Sequence, residues 1–401
     1  MRRTIFFLSL IAILGLSCFQ KWLNHPPYID FLVSTDYYTV NVKAVAQDDD
    51  SISKVIFDWG DNQYDTVKNT DFSAFYLSHD YEKYGVYTIR AVAYDSYGDT
   101  TQTTKTVILD DILQNVKPSI YKTNNNELLM LTINLHTYQE DNQQMKFDKL
   151  AETIARLNID IVLMQECAQH RNSPVVYGNI RENNMALIIQ KKLKEKYGLD
   201  YYFTWDWAHY GWSVYEEGEA VLAKYPITYS GSRVISTSND VNTITTRKAV
   251  FAGVNTPWGL MDIFSAHLHW KQYASDPEPK YQVIRLKNYA SEMADSLMPF
   301  TTIVGGDFNV SASSDYPWNE AYLKMVEGNL FKDAFLEVYP DANTNNPVYF
   351  TVDGVQPGRI DYIFHKNDSH LQPIDGQIIF TDNVIGKVSD HAGVLIKFKV
   401  N

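Results

Sequence analysis

The chain has 401 residues, of which 45% are hydrophobic and 14% aromatic, so it can bury a sizeable core and is expected to hold two or three structural units. This composition excludes a disordered chain. The formal net charge is −13 at pH 7. Wide, sequence-independent capture of nucleic acid is therefore disfavoured, because such binding depends on Lys and Arg that neutralise phosphates. A local basic groove is compatible with these values.

The first 18 residues have the layout of a secretory signal, with two arginines, an apolar stretch from Ile5 to Leu16 and a cysteine at position 18. That stretch is short for a membrane span. Its end resembles a bacterial lipoprotein signal, which implies that Cys18 carries a lipid and becomes the mature N-terminus. An ordinary secretory signal is the alternative. The only other cysteine is Cys167, so we expect no disulfide framework and interpret Cys167 as a buried apolar residue.

Residues 25–110 contain short alternating strands separated by polar turns, which predicts a small all-β sandwich. The segments FDWGD and SHDY resemble those of a polycystic-kidney-disease-type (PKD) repeat, an immunoglobulin-like module of extracellular proteins. The resemblance implies that Trp59 and Tyr87 lie in the core and that Asp58 and Asp61 fix a turn. A spacing or adhesive role is expected for this domain, which shows no catalytic pattern.

Residues 111–126 are polar and end in three asparagines, so they are predicted to be a linker. From residue 127 to 401, apolar runs of strand length alternate with helical segments, which predicts an α/β or α+β domain built on packed sheets. One predicted amphipathic helix, FDKLAETIARLN, places four apolar residues on one face: Phe147, Leu150, Ile154 and Leu157.

Polar side chains stand at the ends of six apolar runs in this second domain. Sheet proteins often present their chemistry there, because the strand is rigid and the next loop is exposed. Taken singly, each residue is more often a turn residue, a helix cap or a core residue than a functional one. The residues are Asn134, Glu166, His267, Asp307, Asn309, Asp361, Asp390 and His391.

Taken together, these side chains form a chemically coherent set. Glu166 and Asp390 are hard oxygen donors suited to Mg²⁺ or Mn²⁺, and Asn134 could complete that shell or hold a phosphate oxygen. Asp307 could align and deprotonate an attacking water, while Asn309 could donate to the charge that develops on phosphorus. Zinc is less suitable, because no thiolates are present and the histidines lack metal-ligand spacing.

The histidines supply the remaining functions that a phosphate site needs. His267 and His391 could donate to a phosphoryl oxygen or move a proton, and Asp361 could orient one of them. The glycines of IVGGDFNV, which precede Asp307, would let the backbone turn closely at the sheet edge.

The order of the motifs QE, HL, GDFN, RIDYIF and SDH resembles the endonuclease/exonuclease/phosphatase superfamily, from about residue 127 to the end of the chain. The resemblance implies a deoxyribonuclease-like four-layer α/β (α+β) sandwich and a hydrolase of phosphate esters that uses a divalent cation and in-line attack by water. By the same resemblance, the metal site consists of Asn134, Glu166 and Asp390. The implied catalytic residues are His267, Asp307, Asn309, Asp361 and His391, with Asp361 paired to His391.

Several segments bear on the substrate, and each has two interpretations. Glu219 is either a surface carboxylate or a substrate contact. Arg247 and Lys248 either contact phosphate or belong to a solvated strand edge. The aromatic stretch 201–212 forms either an exposed wall for a base or head group, or a packed strand. The loop that follows His267 is expected to influence specificity.

The sequence therefore predicts a monomeric, exported phosphodiesterase, anchored in the bacterial envelope through the lipid on Cys18 and facing either the outside or the periplasm, or else secreted. Its substrate is either nucleic acid or a phospholipid such as sphingomyelin. Two alternatives remain open. One is a phosphomonoesterase of the same superfamily, and the other is a non-catalytic cell-surface protein that binds through the PKD-like domain.

Overall fold

The computed structural model describes residues 24–401 except 37, 69, 314–317 and 354–356. The predicted signal and Cys18 lie outside the described residues. Two compact units are present, divided between Ile112 and Leu113. Among the described residues, no helix is both long and apolar enough to cross a membrane.

The first unit consists of antiparallel strands in two sheets. Its strands are β1 (Tyr28–Asp36), β2 (Thr39–Gln47), β3 (Ile52–Asp58), β4 (Tyr64–Val67), β5 (Phe75–Asp80), β6 (Gly85–Asp95) and β7 (Thr100–Leu109). The strand orders are β1-β2-β5 and β4-β3-β6-β7. Apolar residues of both sheets, such as Phe31 and Phe57, share one core, because alternate residues of each strand point inward.

The turn after β3 follows the sequence-based interpretation. Asp58 Oδ1 accepts from the Gly60 N–H at 3.1 Å, and Asp61 Oδ1 accepts from the Gln63 N–H at 3.0 Å. Trp59 is fully buried, as predicted, whereas Tyr87 is only half-buried at the margin of the core. The PKD-type assignment itself stays a prediction.

The segment predicted to be a linker packs largely within the second unit, which begins at Leu113. The segment is mostly polar, but it also contains apolar residues. Ile120 is fully buried in a one-turn helix, Pro118–Ile120. The Lys397 ammonium donates to the carbonyls of Ser119 and Tyr121 at 2.9 and 2.8 Å. These contacts fix residues 117–121 instead of leaving them free.

In the part of the second unit that the structure describes, there are two six-stranded mixed sheets and five α-helices. Its strands are β8 (Glu127–Asn134), β9 (Ile161–His170), β10 (Val175–Tyr177), β11 (Ile180–Arg181), β12 (Tyr202–Gly211), β13 (Tyr215–Ala223), β14 (Ile227–Val234), β15 (Lys248–Thr256), β16 (Gly259–His267), β17 (Thr301–Asp307), β18 (Phe331–Asp333), β19 (Asp361–Lys366), β20 (Leu371–Ile379) and β21 (Gly393–Val400). Its helices are α1 (Gln143–Leu157), α2 (Met185–Tyr197), α3 (Glu278–Leu297), α4 (Glu320–Val326) and α5 (Ala334–Val338). The sheet orders are β12-β13-β9-β8-β21-β20 and β14-β15-β16-β17-β19-β18, and β10 pairs only with β11.

The two large sheets face each other across a core that includes Leu163 and Ile303. Helices α3 and α4 cover the outer face of the second sheet through residues such as Leu286 and Tyr322. On the other side, α1 packs on α2, which contacts β9 and β12. The predicted apolar face of α1 is buried. This order of helices, two mixed sheets and helices fits the predicted deoxyribonuclease-like fold.

Four central strands carry residues of the predicted site. Strands β8 and β9 are parallel neighbours in one sheet, and β16 and β17 are parallel neighbours in the other. Asn134, His267 and Asp307 are the last residues of β8, β16 and β17. Asp361 was predicted at the end of a strand, but it begins β19. Because β19 runs antiparallel to β17 and pairs Asp361 with Asp307, it still reaches the same edge.

Two glycines make close packing possible where β17 ends. A Cβ on Gly305 would lie 2.6 Å from Leu163 Cδ1 and 2.7 Å from the Tyr362 carbonyl oxygen. A Cβ on Gly306, whose φ is +137°, would lie 1.9 Å from the Ala266 carbonyl oxygen. The glycines therefore allow β17 to approach both its neighbour in the sheet and the facing sheet.

We expect Gly306→Ala to lower the free energy of unfolding by about 3 kcal/mol or more, because the backbone is strained and the new methyl group overlaps a carbonyl. Urea unfolding followed by circular dichroism measures the loss. Gly328→Ala is the matched control, since Gly328 has a φ of +79° and open space around its Cβ. That control should lose only about 1 kcal/mol. Equal losses in the two variants would contradict the steric account.

Candidate active site

Asn134 joins the two sheets at the site. Its side chain is fully buried, and its amide nitrogen donates to Glu166 Oε1 at 2.9 Å and to Asp307 Oδ2 at 3.1 Å. Its carbonyl oxygen accepts from the His136 N–H at 2.9 Å. Asn134 therefore positions carboxylates from both sheets, while its role as a metal ligand stays a prediction.

Glu166 stands at an irregularity of β9. The pairing of β9 with β13 shifts between Met164 and Cys167, so that Glu166 bulges from the ladder with a φ of +45°. This conformation is costly for a residue other than glycine, and strained residues inside strands often stand at functional sites. The side chain is half-buried. Burial and the nearby charge of Glu217 raise its pKa above the ordinary value.

The carboxylates of Asp307 and Asp361 flank the imidazole of His391. His391 Nδ1 lies 3.0 Å from Asp361 Oδ2, which is the pairing that the family resemblance implied. His391 Nε2 lies 3.7 Å from Asp307 Oδ2. Burial and the charge of Asp361 raise the pKa of Asp307 to about 7. Burial alone would lower the pKa of His391, but the charges of Asp361 and Asp307 raise it to about 10.

His267 and Asn309 form the opposite side of the site. The Asn309 amide donates to His267 Nε2 and to the Leu268 carbonyl, both at 2.9 Å. The Asn309 N–H donates to Asp307 Oδ1 at 2.8 Å, which holds Asn309 at a φ of +52°. Burial, with a smaller effect of Arg247, lowers the pKa of His267 well below its ordinary value. His267 is thus a neutral acceptor toward Asn309.

Asp390 lies at the rim of the site, where its side chain is half exposed. It accepts a hydrogen bond from Ser389 Oγ at 3.2 Å and lies 3.5 Å from His136 Nδ1. Its charge contributes to the raised pKa of Glu166, so the two predicted metal ligands influence each other. His136 also lies 2.8 Å from Glu140.

The donor set fits a hard divalent cation. Within the described residues, the donor atoms of Asp307, Asp361 and His391 all lie within 4.8 Å of one another. Asp361 Oδ1 is buried without a hydrogen-bond partner in the described residues, and burial, together with the charge of Asp361, raises the pKa of Asp307. Buried negative groups of this kind are stabilised by a cation with oxygen preference.

Three residues of the site were missed by the sequence-based interpretation. Thr137 Oγ1 lies 2.7 Å from Glu217 Oε2 and 3.2 Å from Glu166 Oε2. His209 Nε2 lies 3.1 Å from Glu217 Oε1. One signal was available for Glu217: strand periodicity places it on the same face as Glu219, which the sequence had singled out.

The surface interpretations of Glu219 and Arg247 are wrong. Glu219 is 2% exposed in the middle of β13, and burial raises its pKa well above the ordinary value. Arg247 is 1% exposed, donates to the Ile244 carbonyl and lies 3.3 Å from His209 Nδ1. Lys248 is not part of a solvated edge either, because it is bound to Asp206 Oδ2 at 2.6 Å. Glu219 and Arg247 are therefore buried, whereas Lys248 is partly exposed and paired with an acid.

For the aromatic stretch 201–212, each of the two interpretations is partly correct. Tyr201 and Trp205 are buried, and the Trp205 indole N–H donates to the Cys167 carbonyl at 2.6 Å. Tyr202 and Trp212 are exposed. The stretch is thus a packed strand, β12, that shows only some of its rings to solvent. Cys167 is a fully buried free thiol, as predicted.

Comparisons with known proteins agree with this geometry. The model of the Endonuclease/Exonuclease/phosphatase family matches residues 131–391, which is more than half of the chain. The chain therefore belongs to this family, whose members are phosphoesterases and nucleases that depend on divalent metals. No curated protein matches the sequence significantly.

Solved structures of the same fold match about two thirds of the chain. An endonuclease/exonuclease/phosphatase family protein from Leptotrichia buccalis is 25% identical, covers 68% of this chain and 99% of its own, and has a TM-score of 0.58. The human Nocturnin catalytic domain with bound sulfate is 17% identical over 69% of this chain and 95% of its own, with a TM-score of 0.50. At that identity, the second likeness shows the fold alone.

Two neighbouring acids of β13 should respond to pH in opposite directions. Because the folded pKa of Glu219 is raised, the stability associated with its protonation is present at low pH and is lost as pH rises. Glu219→Gln should therefore match the wild type near pH 4.5 and exceed its free energy of unfolding by about 1–3 kcal/mol at pH 8.

Glu216→Gln is the matched control. Burial alone would raise the pKa of Glu216, but hydrogen bonds from Arg181 and Gln169 lower it. The stability from this pair is present at high pH and is lost as pH falls, so Glu216→Gln should be less stable than the wild type at pH 8. Urea unfolding at both pH values measures the differences. Parallel pH responses of the two variants would contradict the assignment.

Proposed function

We propose that the chain is a divalent-metal-dependent phosphodiesterase whose active site is the set of residues described above. The carrying observation is that Asn134 holds Glu166 and Asp307 together across the two sheets, beside the Asp361–His391 pair. In this proposal, Glu166 is the metal-binding carboxylate, Asp307 is the second acid and His391 is the cationic imidazole. These are groups that can assist hydrolysis of a phosphate ester, by proton transfer and by stabilising the charge that develops on the phosphoryl oxygens.

Glu166 and Asp390 are the residues that would hold the cation. When bound, Mg²⁺ or Mn²⁺ would neutralise charge on the phosphoryl oxygens. Asp307, with a pKa of about 7, can accept a proton from the attacking water. His391, oriented by Asp361, can donate to a phosphoryl oxygen as negative charge develops there. Asn309 keeps His267 in place through their mutual contact.

Two cavities support a phosphodiester over a monoester substrate. One, of about 230 Å³, is lined by Asn309 and Trp270, among other residues. The other, of about 430 Å³, is lined by Asp390, His391 and Tyr349, among others. Each cavity thus reaches site residues and has aromatic lining. A phosphodiester carries one group on each side of phosphorus, and aromatic rings can stack on a nucleobase or contact a head group.

The decisive assay compares supercoiled DNA with sphingomyelin vesicles, each with Mg²⁺ and with a chelator. Asp307→Ala and His391→Ala should each reduce turnover by roughly two orders of magnitude or more, because each removes a proton-transfer or charge-stabilising group. Nicking of DNA alone would identify a nuclease, and cleavage of the lipid alone would identify a phospholipid phosphodiesterase.

The controls are Asp200→Ala and His25→Ala, which change exposed side chains and should retain full activity. Circular dichroism should show that all four variants are folded. If both active-site variants keep near-wild-type turnover, or if the chelator has no effect on the wild type, the proposed function is wrong.

We further propose that the protein is exported and anchored in the bacterial cell envelope by a lipid on Cys18, and that the first unit is a PKD-type spacer. The supporting features are the lipoprotein-like signal and the resemblance of FDWGD and SHDY to PKD repeats.

Cys18→Ser should release the protein from the membrane fraction, because serine has no thiol to carry the lipid that would anchor the chain. Fractionation of expressing bacteria, with immunoblotting of each fraction, measures the change. Cys167→Ser is the matched control, since it removes the buried thiol and should leave the distribution as in the wild type. Membrane association of Cys18→Ser at the wild-type level would refute the anchor.

A further inference from the structure

The hydroxyl of Thr137 lies between two buried or half-buried carboxylates. Its oxygen is 2.7 Å from Glu217 Oε2 and 3.2 Å from Glu166 Oε2. Thr137 is fully buried, and Glu217 is 7% exposed. A threonine hydroxyl carries one proton, so it can donate to only one of these carboxylates at a time. The shorter distance assigns the proton to Glu217.

Glu217 is in turn fixed from its other side. His209, which is 2% exposed, places Nε2 at 3.1 Å from Glu217 Oε1. The other ring nitrogen of His209, Nδ1, lies 3.0 Å from the Thr246 carbonyl oxygen. Each oxygen of the Glu217 carboxylate therefore has a close polar neighbour, with His209 at Oε1 and the Thr137 hydroxyl at Oε2.

The backbone adopts an unfavourable conformation at the turn that carries this hydroxyl. His136, Thr137 and Tyr138 are consecutive non-glycine residues with φ of 53°, 38° and 61°. Such a conformation is especially unfavourable for a β-branched residue like threonine. The turn is tied to the site at its start, because the His136 N–H donates to Asn134 Oδ1 at 2.9 Å. Strain of this kind persists where the surrounding structure enforces it, often for function.

We infer that Glu217, held by His209, is a positioning residue that draws the Thr137 hydroxyl proton away from Glu166 and so leaves Glu166 Oε2 free to bind the divalent cation. This inference rests on the proposed function, because it assigns the cation to Glu166. The inference is tested by the affinity for the metal ion, whereas the proposed function is tested by the rate of hydrolysis.

The direction of the hydrogen bond can be reversed by one substitution. In Glu217→Gln, the side-chain carbonyl can stay toward His209 while the amide nitrogen donates to Thr137 Oγ1. The Thr137 proton then turns to Glu166 Oε2 and competes with the cation. Isothermal titration of the full chain with Mg²⁺ should show roughly tenfold weaker binding, the usual scale for loss of a partner behind a metal ligand.

Glu216→Gln is the matched control in the same strand. Glu216 pairs with Arg181 and Gln169 and makes no contact with Thr137 in the described residues. This variant should lose thermal stability and yet bind Mg²⁺ within about twofold of the wild type. A comparable loss of affinity in both variants would show that Glu217 acts only through stability, and would overturn the inference.

A double variant distinguishes the effect of the direction of the Thr137 proton from the effect of losing the Glu217 charge. Thr137→Val removes the hydroxyl at nearly constant volume, so no proton remains to compete on Glu166. If proton direction is the cause, Glu217→Gln/Thr137→Val should recover the affinity of Thr137→Val alone within about twofold. If the double variant binds Mg²⁺ as weakly as Glu217→Gln, the lost charge is the cause and the inference is wrong.

Thr137→Val alone keeps the inference testable if Glu217→Gln does not fold. Because the wild-type hydroxyl donates to Glu217, its removal should change Mg²⁺ affinity by no more than about twofold. Binding that is several-fold tighter would mean that the wild-type proton lies on Glu166, and would overturn the inference. Failure of the proposed function is seen separately, as a wild-type chain that binds Mg²⁺ without cleaving any phosphodiester.

Discussion

The structure of the site depends on one buried amide. Asn134 gives its two amide hydrogens to Glu166 and Asp307, which belong to different sheets, and its oxygen accepts from the His136 N–H. Buried carboxylates are costly unless hydrogen-bonded, and two of them in proximity also repel each other. An amide donor shared between them offsets both effects. The parallel central strands, and the glycines that let the sheets come close, make this shared contact possible.

Rigid strands also support strained residues at the same place. Glu166, Thr137 and Asn309 all have positive φ, and all three touch other side chains of the site. Elsewhere in the second unit, Asn158 also has a positive φ, but it ends helix α1, where that conformation is ordinary. The difference indicates that the site residues are held by their partners, since an isolated turn would relax to a cheaper conformation.

The sequence predicted correctly those site residues whose position depends only on where a strand ends. Asn134, His267 and Asp307 were expected at the ends of strands, and they are the last residues of β8, β16 and β17, which belong to two facing sheets. The burial of Glu219 and Arg247 could not be read from the sequence, because it depends on which strands become neighbours in each sheet. The contact of Thr137 with Glu217 joins residues 80 positions apart, and periodicity within a segment carries no information about such a pair.

The charge of the molecule bears on the proposed reaction. The chain carries a net charge of −13, and its site gathers the carboxyl groups of Glu166, Asp307 and Asp361, whose negative charge disfavours a phosphate there. His391 and the buried Arg247 offset only part of that charge. A divalent cation on Glu166 would reverse the local sign at the point where phosphate binds. In the proposed enzyme, the cation is therefore a condition for substrate binding as well as a participant in hydrolysis, and groups such as Glu217 that tune its affinity also control access of the substrate.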